Sequence, residues 1–457
     1  MVTSTTGADE KPCPFALPST DVEGLGVIIA FLLPAYVCWV VIVAFYMLGL
    51  IPDVLNNFDE CFLGVRIRPS NRWGEILCKG VLVAGTQQLV MGIAILSSGF
   101  AGVAHMVLMD FHVMTYLAWT SSIMHMSTLT FLPSDFRESL RFRALRVSSM
   151  LILLIMLCIA IFPTTNFTWD DYIKLGGNCQ SASYCPMLND TVSSLWHVAA
   201  QSNGRGRLST QGVVSYFLLI GSSIWKVVTL FHNVREGSRR FLRQPIFYLE
   251  RMICRFLQKR GKTDFRYCTF VGFYIFFLAI LDFAGSFAFY LWIVLTCLGW
   301  ATFQLFFPRM QALPSCVRVQ LDEWNFGQIL PLMLLLLPLY SVAEYYFVTL
   351  SKLDMDSSPG QQRANDGRHT IPQKAISELF LSLSASQAQS QPSSTDPKIY
   401  AAIYDTSYFR MMLAFLTLAV VATTAGFFAQ TTVAFSLAEA GIPGPEAASA
   451  AAKNATV

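Results

Sequence analysis

Charge is what this sequence has least of: 13% of its 457 residues are Asp, Glu, Lys or Arg, against 54% hydrophobic. With a mean hydropathy of +0.49, that balance excludes an ordinary soluble domain and fits a chain that crosses a membrane several times. Signature loops are missing as well. The chain has no Walker A loop, no dinucleotide-binding glycine pattern, no GxSxG elbow and no HExxH pair. Its eleven cysteines show no CxxC or Cys/His spacing, so no metal site is expected. The DDxxD-type box that holds Mg²⁺ in prenyl-diphosphate enzymes is absent. Its nearest counterpart, Asp170-Asp171, stands in a loop beside a glycosylation sequon. No cofactor is expected. The N-terminus lacks the basic region of a cleavable signal peptide, and no internal repeat is visible. The net charge of +3 says little about partners.

What the sequence has is apolar runs of membrane-spanning length. They lie near 26–51, 80–104, 106–131, 147–163, 211–231, 267–285, 287–307, 326–349 and 407–435. The fold class is all-α, a polytopic transmembrane bundle of about eight to nine spans. Residues 1–25 form an outer tail and 26–349 the bundle. A Ser/Gln-rich disordered linker at 350–405 leads to a last span at 406–436 and a tail at 437–457. The stretch from Tyr267 to Phe307 would make about 60 Å of helix at 1.5 Å per residue, too much for one span. A hairpin near Asp282–Ser286 resolves this. An interfacial helix followed by a single span is the alternative, and it reverses the side on which the C-terminus lies.

Basic residues set the orientation. Arg137, Arg141, Arg143 and Arg146 follow the third span, and the segment 235–266 carries ten Lys/Arg against three acids. Both are expected in the cytosol. Phe241, Ile246, Phe247, Leu249, Ile253, Phe256 and Leu257 interleave with these arginines, so 235–266 reads as an amphipathic helix on anionic lipid; a nucleic-acid partner is not expected. The loop 164–210 then faces the lumen. It carries sequons at Asn166 and Asn189 together with Cys179 and Cys185. Cys13 shares that side, so a disulfide among these three is expected. The sequons point to the secretory system, with the endoplasmic reticulum the expected membrane.

Titratable residues inside apolar runs are the functional candidates, because a charge in hydrocarbon costs roughly 2.5–3.5 kcal/mol on insertion scales. Asp110, Met114, Leu117, Ser121 and His125 fall on one helical face, with His105, His112 and Trp119 roughly opposite. The preceding span adds Thr86, Gln87 and Gln88, and its small residues Gly80, Ala84, Gly85 and Gly92 allow close helix approach. Asp282 is a solvated turn residue if a hairpin forms there and an interior acid otherwise. Glu344 stands beside Tyr340, Tyr345 and Tyr346, a pattern shared with aromatic belts. Lys226 is expected to snorkel towards the cytosol, and Pro34, Pro331 and Pro338 to kink their helices.

The segments QQLVMGIAILSSGFAG (Gln87–Gly102) and YLAWTSSIMHMSTLTFL (Tyr116–Leu132) resemble a large group of filamentous-fungal multi-pass membrane proteins. So do DVEGLGVIIAFLL (Asp21–Leu33) and WNFGQILPLMLLLLPL (Trp324–Leu339), the last followed by Glu344. The resemblance covers roughly 20–350, and 351–457 departs from it. It implies a fungal polytopic bundle. By analogy with the integral-membrane terpene cyclases of meroterpenoid pathways, it also implies acid-initiated, metal-free closure of a farnesyl-like, possibly epoxidised, prenyl chain. On that reading Asp110, Asp282 or Glu344 is the acid, His112 or His125 removes the terminating proton, and Tyr116, Trp119 and Trp292 stabilise the cation. The partner would be a lipophilic small molecule. A transporter, with the same groups as a proton path, and a non-enzymatic scaffold or sensor are the other two readings.

Overall fold

The structure is a computed structural model that describes residues 19–50, 58–65, 72–129, 140–165, 191–193, 196, 210–230, 273, 276–277, 279–311, 324–356 and 407–439. Among them there is no strand. A single isolated antiparallel bridge joins Val107 and Thr191. The helices are α1 (Thr20–Glu23), α2 (Leu25–Met47), α3 (Arg72–Gly102), α4 (Leu108–Thr128), α5 (Leu140–Ile161), α6 (Thr210–Leu230), α7 (Phe287–Gln311), α8 (Phe326–Leu334), α9 (Leu336–Asp356) and α10 (Ser407–Glu439). Five stretches are long and apolar enough to cross a membrane: Leu25–Met47, Ile76–Gly102, Phe287–Arg309, Phe326–Val348 and Ser407–Gly426. This makes the chain a helical membrane protein, with five such helices among the described residues against the eight to nine spans expected.

The most polar of the expected spans, α4, is the centre of the bundle, and all of its residues from Leu108 to Thr128 are buried. The reason is in its sequence. Asp110, His112, Thr115, Thr120, Ser121, Ser122 and His125 point in every direction around the helix, so no face can be offered to lipid without exposing a polar group. α4 therefore packs against α2, α3, α5 and α7. Several hydroxyls satisfy themselves on their own helix: Thr115 Oγ1 donates to the Phe111 carbonyl at 2.8 Å and Thr120 Oγ1 to that of Tyr116 at 3.0 Å. The α3 partner is antiparallel. Gly99, Gly92 and Gly85 face Met114, Ser121 and Thr128 in turn, so the face expected to join Asp110 to His125 is largely the α3 seam.

Contacts also fix the direction of each helix. Ser19, just before α1, meets Asp110 at the start of α4, so α2 and α4 run parallel. Along α6, Ser215 meets Tyr116 and Ser223 meets Met126, so α6 runs with α4. α7 is opposed: its first residues lie against Asp59, Tyr46 and Met126, its last against Glu23. α6 thus ends where α7 begins. The nine-span reading, with a single crossing at 267–285 between them, would put these two helix ends on opposite sides. A break does occur at the expected place. The helical stretch 279–284 ends in a turn at Gly285–Ser286, yet Asp282 beside it is fully buried, not solvated.

Asp59 explains how α7 can start inside the protein. Its carboxylate accepts the Phe287 and Ala288 backbone N–H groups at 3.1 and 3.4 Å and the Tyr46 hydroxyl at 2.7 Å. It caps, from 228 residues away, donors that the first turn of a helix leaves unpaired. Lys226 is likewise buried, with Nζ 4.3 Å from the centre of the Tyr290 ring, and does not snorkel.

Three prolines share one pattern, Pro34 and Pro308 inside their helices and Pro338 in the first turn of α9. Proline removes the N–H that would serve the carbonyl four residues earlier. Pro34 frees the Ala30 carbonyl, which accepts the Gln88 amide at 3.1 Å. Pro338 frees Leu334, whose carbonyl accepts the Gln87 amide at 2.6 Å. Pro308 frees Gln304, whose carbonyl lies 3.0 Å from His112 Nε2. α2 and α7 stay continuous through their prolines, whereas α8 and α9 part at Leu335, ahead of Pro338. The helix also runs through Pro331 without a break.

Candidate functional site: a buried carboxyl pair

Four elements meet at the end of the bundle where α2 and α4 begin. Glu23 closes α1, Asp110 stands in the first turn of α4, Arg309 in the last turn of α7, and Gln328 in the first turn of α8. α2 has no side-chain cap of its own, and its Gly26 N–H donates to Gln328 Oε1 at 3.2 Å. Glycine is needed at 26 for this approach, since a Cβ there would come within 2.8 Å of the Gln328 carbonyl oxygen. The segments DVEGLG and WNFGQ, which both carry the family resemblance, are therefore in direct contact.

Asp110 accepts the Ser19 backbone N–H at 3.0 Å on Oδ1 and 3.3 Å on Oδ2, and its place in the first turn of a helix favours negative charge. Glu23 beside it is 1% exposed, and among the described residues only the Asp110 carboxyl is placed to share a proton with its carboxyl. Burial raises the Glu23 pKa well above the usual carboxylate range. The Asp110 charge adds to the rise, and Arg309 acts the other way. Arg309 Nη1 donates to the Glu23 main-chain carbonyl, tying the end of α7 to the end of α1. The result is a proton-holding acid beside a second carboxyl whose oxygens accept a main-chain N–H, two carboxyls in different surroundings.

Of the residues singled out in the sequence, only Asp110 belongs to this cluster. His112 is held by the Gln304 carbonyl, and its ring centre lies 4.8 Å from that of Tyr116. Tyr116 and Trp300 share Ser215 Oγ at 3.2 and 3.0 Å. Trp119 is enclosed, and its Nε1 has no partner among the described residues. His125 lies 15 residues beyond Asp110, about 22 Å along the helix, and its Nδ1 sits 3.2 Å from the Gly85 carbonyl. It cannot act on the same atoms as Asp110. Trp292 Nε1 donates to Thr424 Oγ1 at 2.8 Å and docks α10 on α7. Asp282 is buried at the opposite end of the bundle from Asp110, and Glu344 is exposed, near the start of α3.

Glu23, Arg309 and Gln328 were not singled out in the sequence. The first two flank apolar runs, where charges are normally solvated. The remaining signal was DVEGLG, an acid and two glycines directly before a span. Asn166, Asn189, Cys13, Cys179, Cys185, the basic segment 235–266 and residues 357–405 of the linker lie outside the described residues, while 350–356, expected to open the linker, continue α9 as helix.

Over 106 residues, 23% of its length, the chain is 33% identical to "Elsinochromes biosynthesis cluster protein HP3" of Elsinoe fawcettii. The matched stretch spans 43% of that protein. No protein-family profile matches the chain, and no solved structure matches it.

Proposed function

We propose that this chain is a membrane-embedded enzyme of fungal secondary metabolism that isomerises a lipophilic substrate by acid catalysis, with Glu23 and Asp110 as its reactive pair. The reaction that suits the pair best is cyclisation of a farnesyl-like, epoxidised prenyl chain. Glu23 delivers its proton to the epoxide oxygen. The C–O bond opens as alkene electrons form the new C–C bond, and Asp110 takes the proton lost from the final cation. Transfer of that proton from Asp110 to its neighbour resets the pair, so substrate and product have equal mass. The observation that carries the reading is the buried Glu23 carboxyl paired with Asp110. Similarity to a biosynthetic-cluster protein supports the metabolic setting.

A proton-coupled carrier is the second reading. It is favoured by the helix interrupted at Leu335, whose first half, α8, borders the acid pair.

The test is expression in a fungal host supplied with farnesylated phenols and their epoxides, followed by mass spectrometry. A new isomer of unchanged mass is expected, abolished by Glu23→Gln and Asp110→Asn and retained by Asp282→Asn. Verified expression without an isomer overturns the cyclase reading. Proton-dependent uptake lost in Glu23→Gln, with no isomer, would put the carrier in its place.

A further inference from the structure

The three mended prolines are not scattered through the bundle. Two lie inside helices that contribute to the surroundings of the acid pair, and the third stands in the first turn of α9, just after a helix that does. Pro34 separates the body of α2 from the segment leading back to Glu23. Pro308 immediately precedes Arg309. Pro338 follows α8, which carries Gln328. The groups that mend them come from the central pair of helices: Gln87 and Gln88 from α3, His112 from α4. A carbonyl and a histidine nitrogen pair only if the nitrogen carries hydrogen, so His112 is the Nε2–H donor here. Gln88 is held in turn by Ser121, whose hydroxyl donates to its Oε1 at 3.2 Å.

Proline removes one main-chain bond and leaves a helix able to bend at that point. A side-chain donor on the freed carbonyl offsets this, but through a contact between helices rather than within one. α2 and α7, which border the buried site, are therefore each hinged within the helix, and α8 at its junction with α9; each hinge is fastened to the same rigid pair. Nothing in helix formation alone calls for that coincidence.

We propose that the ends of α2, α7 and α8 beyond these prolines form a hinged gate over the Glu23–Asp110 pair, held shut by Gln88, His112 and Gln87. The gate regulates entry of a lipid-soluble ligand to the acid pair and rests on the reading of that pair as the reactive centre. Gln88, His112 and Gln87 are positioning residues, acting on the carboxyls through the helices they fasten. Release of one fastening lets the adjoining helix end swing and uncovers Glu23.

Dicyclohexylcarbodiimide, a lipid-soluble reagent for protonated carboxyls, reads this directly. The carboxyl proton passes to a carbodiimide nitrogen as the carboxyl oxygen bonds to the central carbon, and rearrangement leaves a stable N-acylurea on the residue. The full-length protein in lipid nanodiscs is treated, and labelled Glu23 is followed by peptide mass spectrometry. In Gln88→Leu the labelling rate is expected to rise about five- to tenfold, the factor one net hydrogen bond is worth. In Gln88→Leu/Pro34→Ala, where the introduced alanine supplies the missing N–H, the rate returns to the wild-type value or below. His112→Leu and His112→Leu/Pro308→Ala repeat the comparison at a second hinge and keep the test open if one variant fails to fold. Equal labelling rates in all folded variants overturn the gate and leave the acid pair standing. No labelling of Glu23 in any variant overturns both, because no protonated carboxyl is then within reach.

Discussion

Gly92 of α3 and Ser121 of α4 meet so closely that a Cβ on the glycine would lie 2.7 Å from the serine Cβ. The neighbouring contacts repeat at seven-residue steps in opposite directions, Gly99 on Met114 and Gly85 on Thr128, and so define the antiparallel seam that encloses the central helix. Because the Ser121 Cβ is fixed to its helix axis, it cannot swing aside as a long side chain would. Gly92→Ala is expected to destabilise the protein by about 1–3 kcal/mol. Gly221→Ala on α6, where no atom lies within 4 Å, should stabilise it by up to about 1 kcal/mol through helix propensity. Thermal melts of the two variants in one detergent check both signs.

Asp59→Ala should cost about 2–3 kcal/mol. It removes the acceptor for two buried N–H groups of α7 and strands the Tyr46 hydroxyl. Asp59→Asn keeps one acceptor oxygen and should recover part of the loss. The ordering wild type, Asn, Ala in thermal melts is the expected result.

Glu23 makes stability depend on pH with a definite sign. Its pKa is raised in the folded protein, first by burial and then by Asp110. The folded chain therefore keeps a proton where the unfolded chain has released it. That stabilisation is complete below the ordinary glutamate value of about 4.3 and is lost as pH rises through the folded value. The apparent Tm of the wild type should fall as pH rises from about 4.3. The Glu23→Gln curve, measured over the same range, should be flatter.

The helix directions predict the disposition of the termini. α10 runs parallel to α7: Phe409 and Leu413 pack with Phe283, and further along Thr424 meets Trp292 and Phe428 meets Gly299. It therefore ends on the side where α1 begins. Tags at the N- and C-termini should be accessible from one side of the membrane and a tag inserted near residue 380 from the other. Protease protection in sealed vesicles checks this, and termini on opposite sides would contradict the packing of α10.

Composition and hydropathy alone determined that this is a helical membrane protein. They also located most of its helices within a few residues, because twenty apolar residues in a row have few other uses. The glycines of α3 were legible as points of close approach for the same local reason. The role of the polar residues was not legible. Gln87, Gln88 and His112 read as a potential path or site, yet each answers a carbonyl freed by a proline in another helix, and no local pattern links Gln88 to Pro34. Asp110 could be recognised as an interior acid, but its partner Glu23 lies 87 residues away at the edge of a span, where acids are ordinarily solvated. Asp59 was invisible for the same reason, since the helix it caps starts more than two hundred residues later. Periodicity records which face of a helix avoids water. Which polar group meets which orphaned donor or acceptor is set by the crossing of distant helices, and only the tertiary structure decided it.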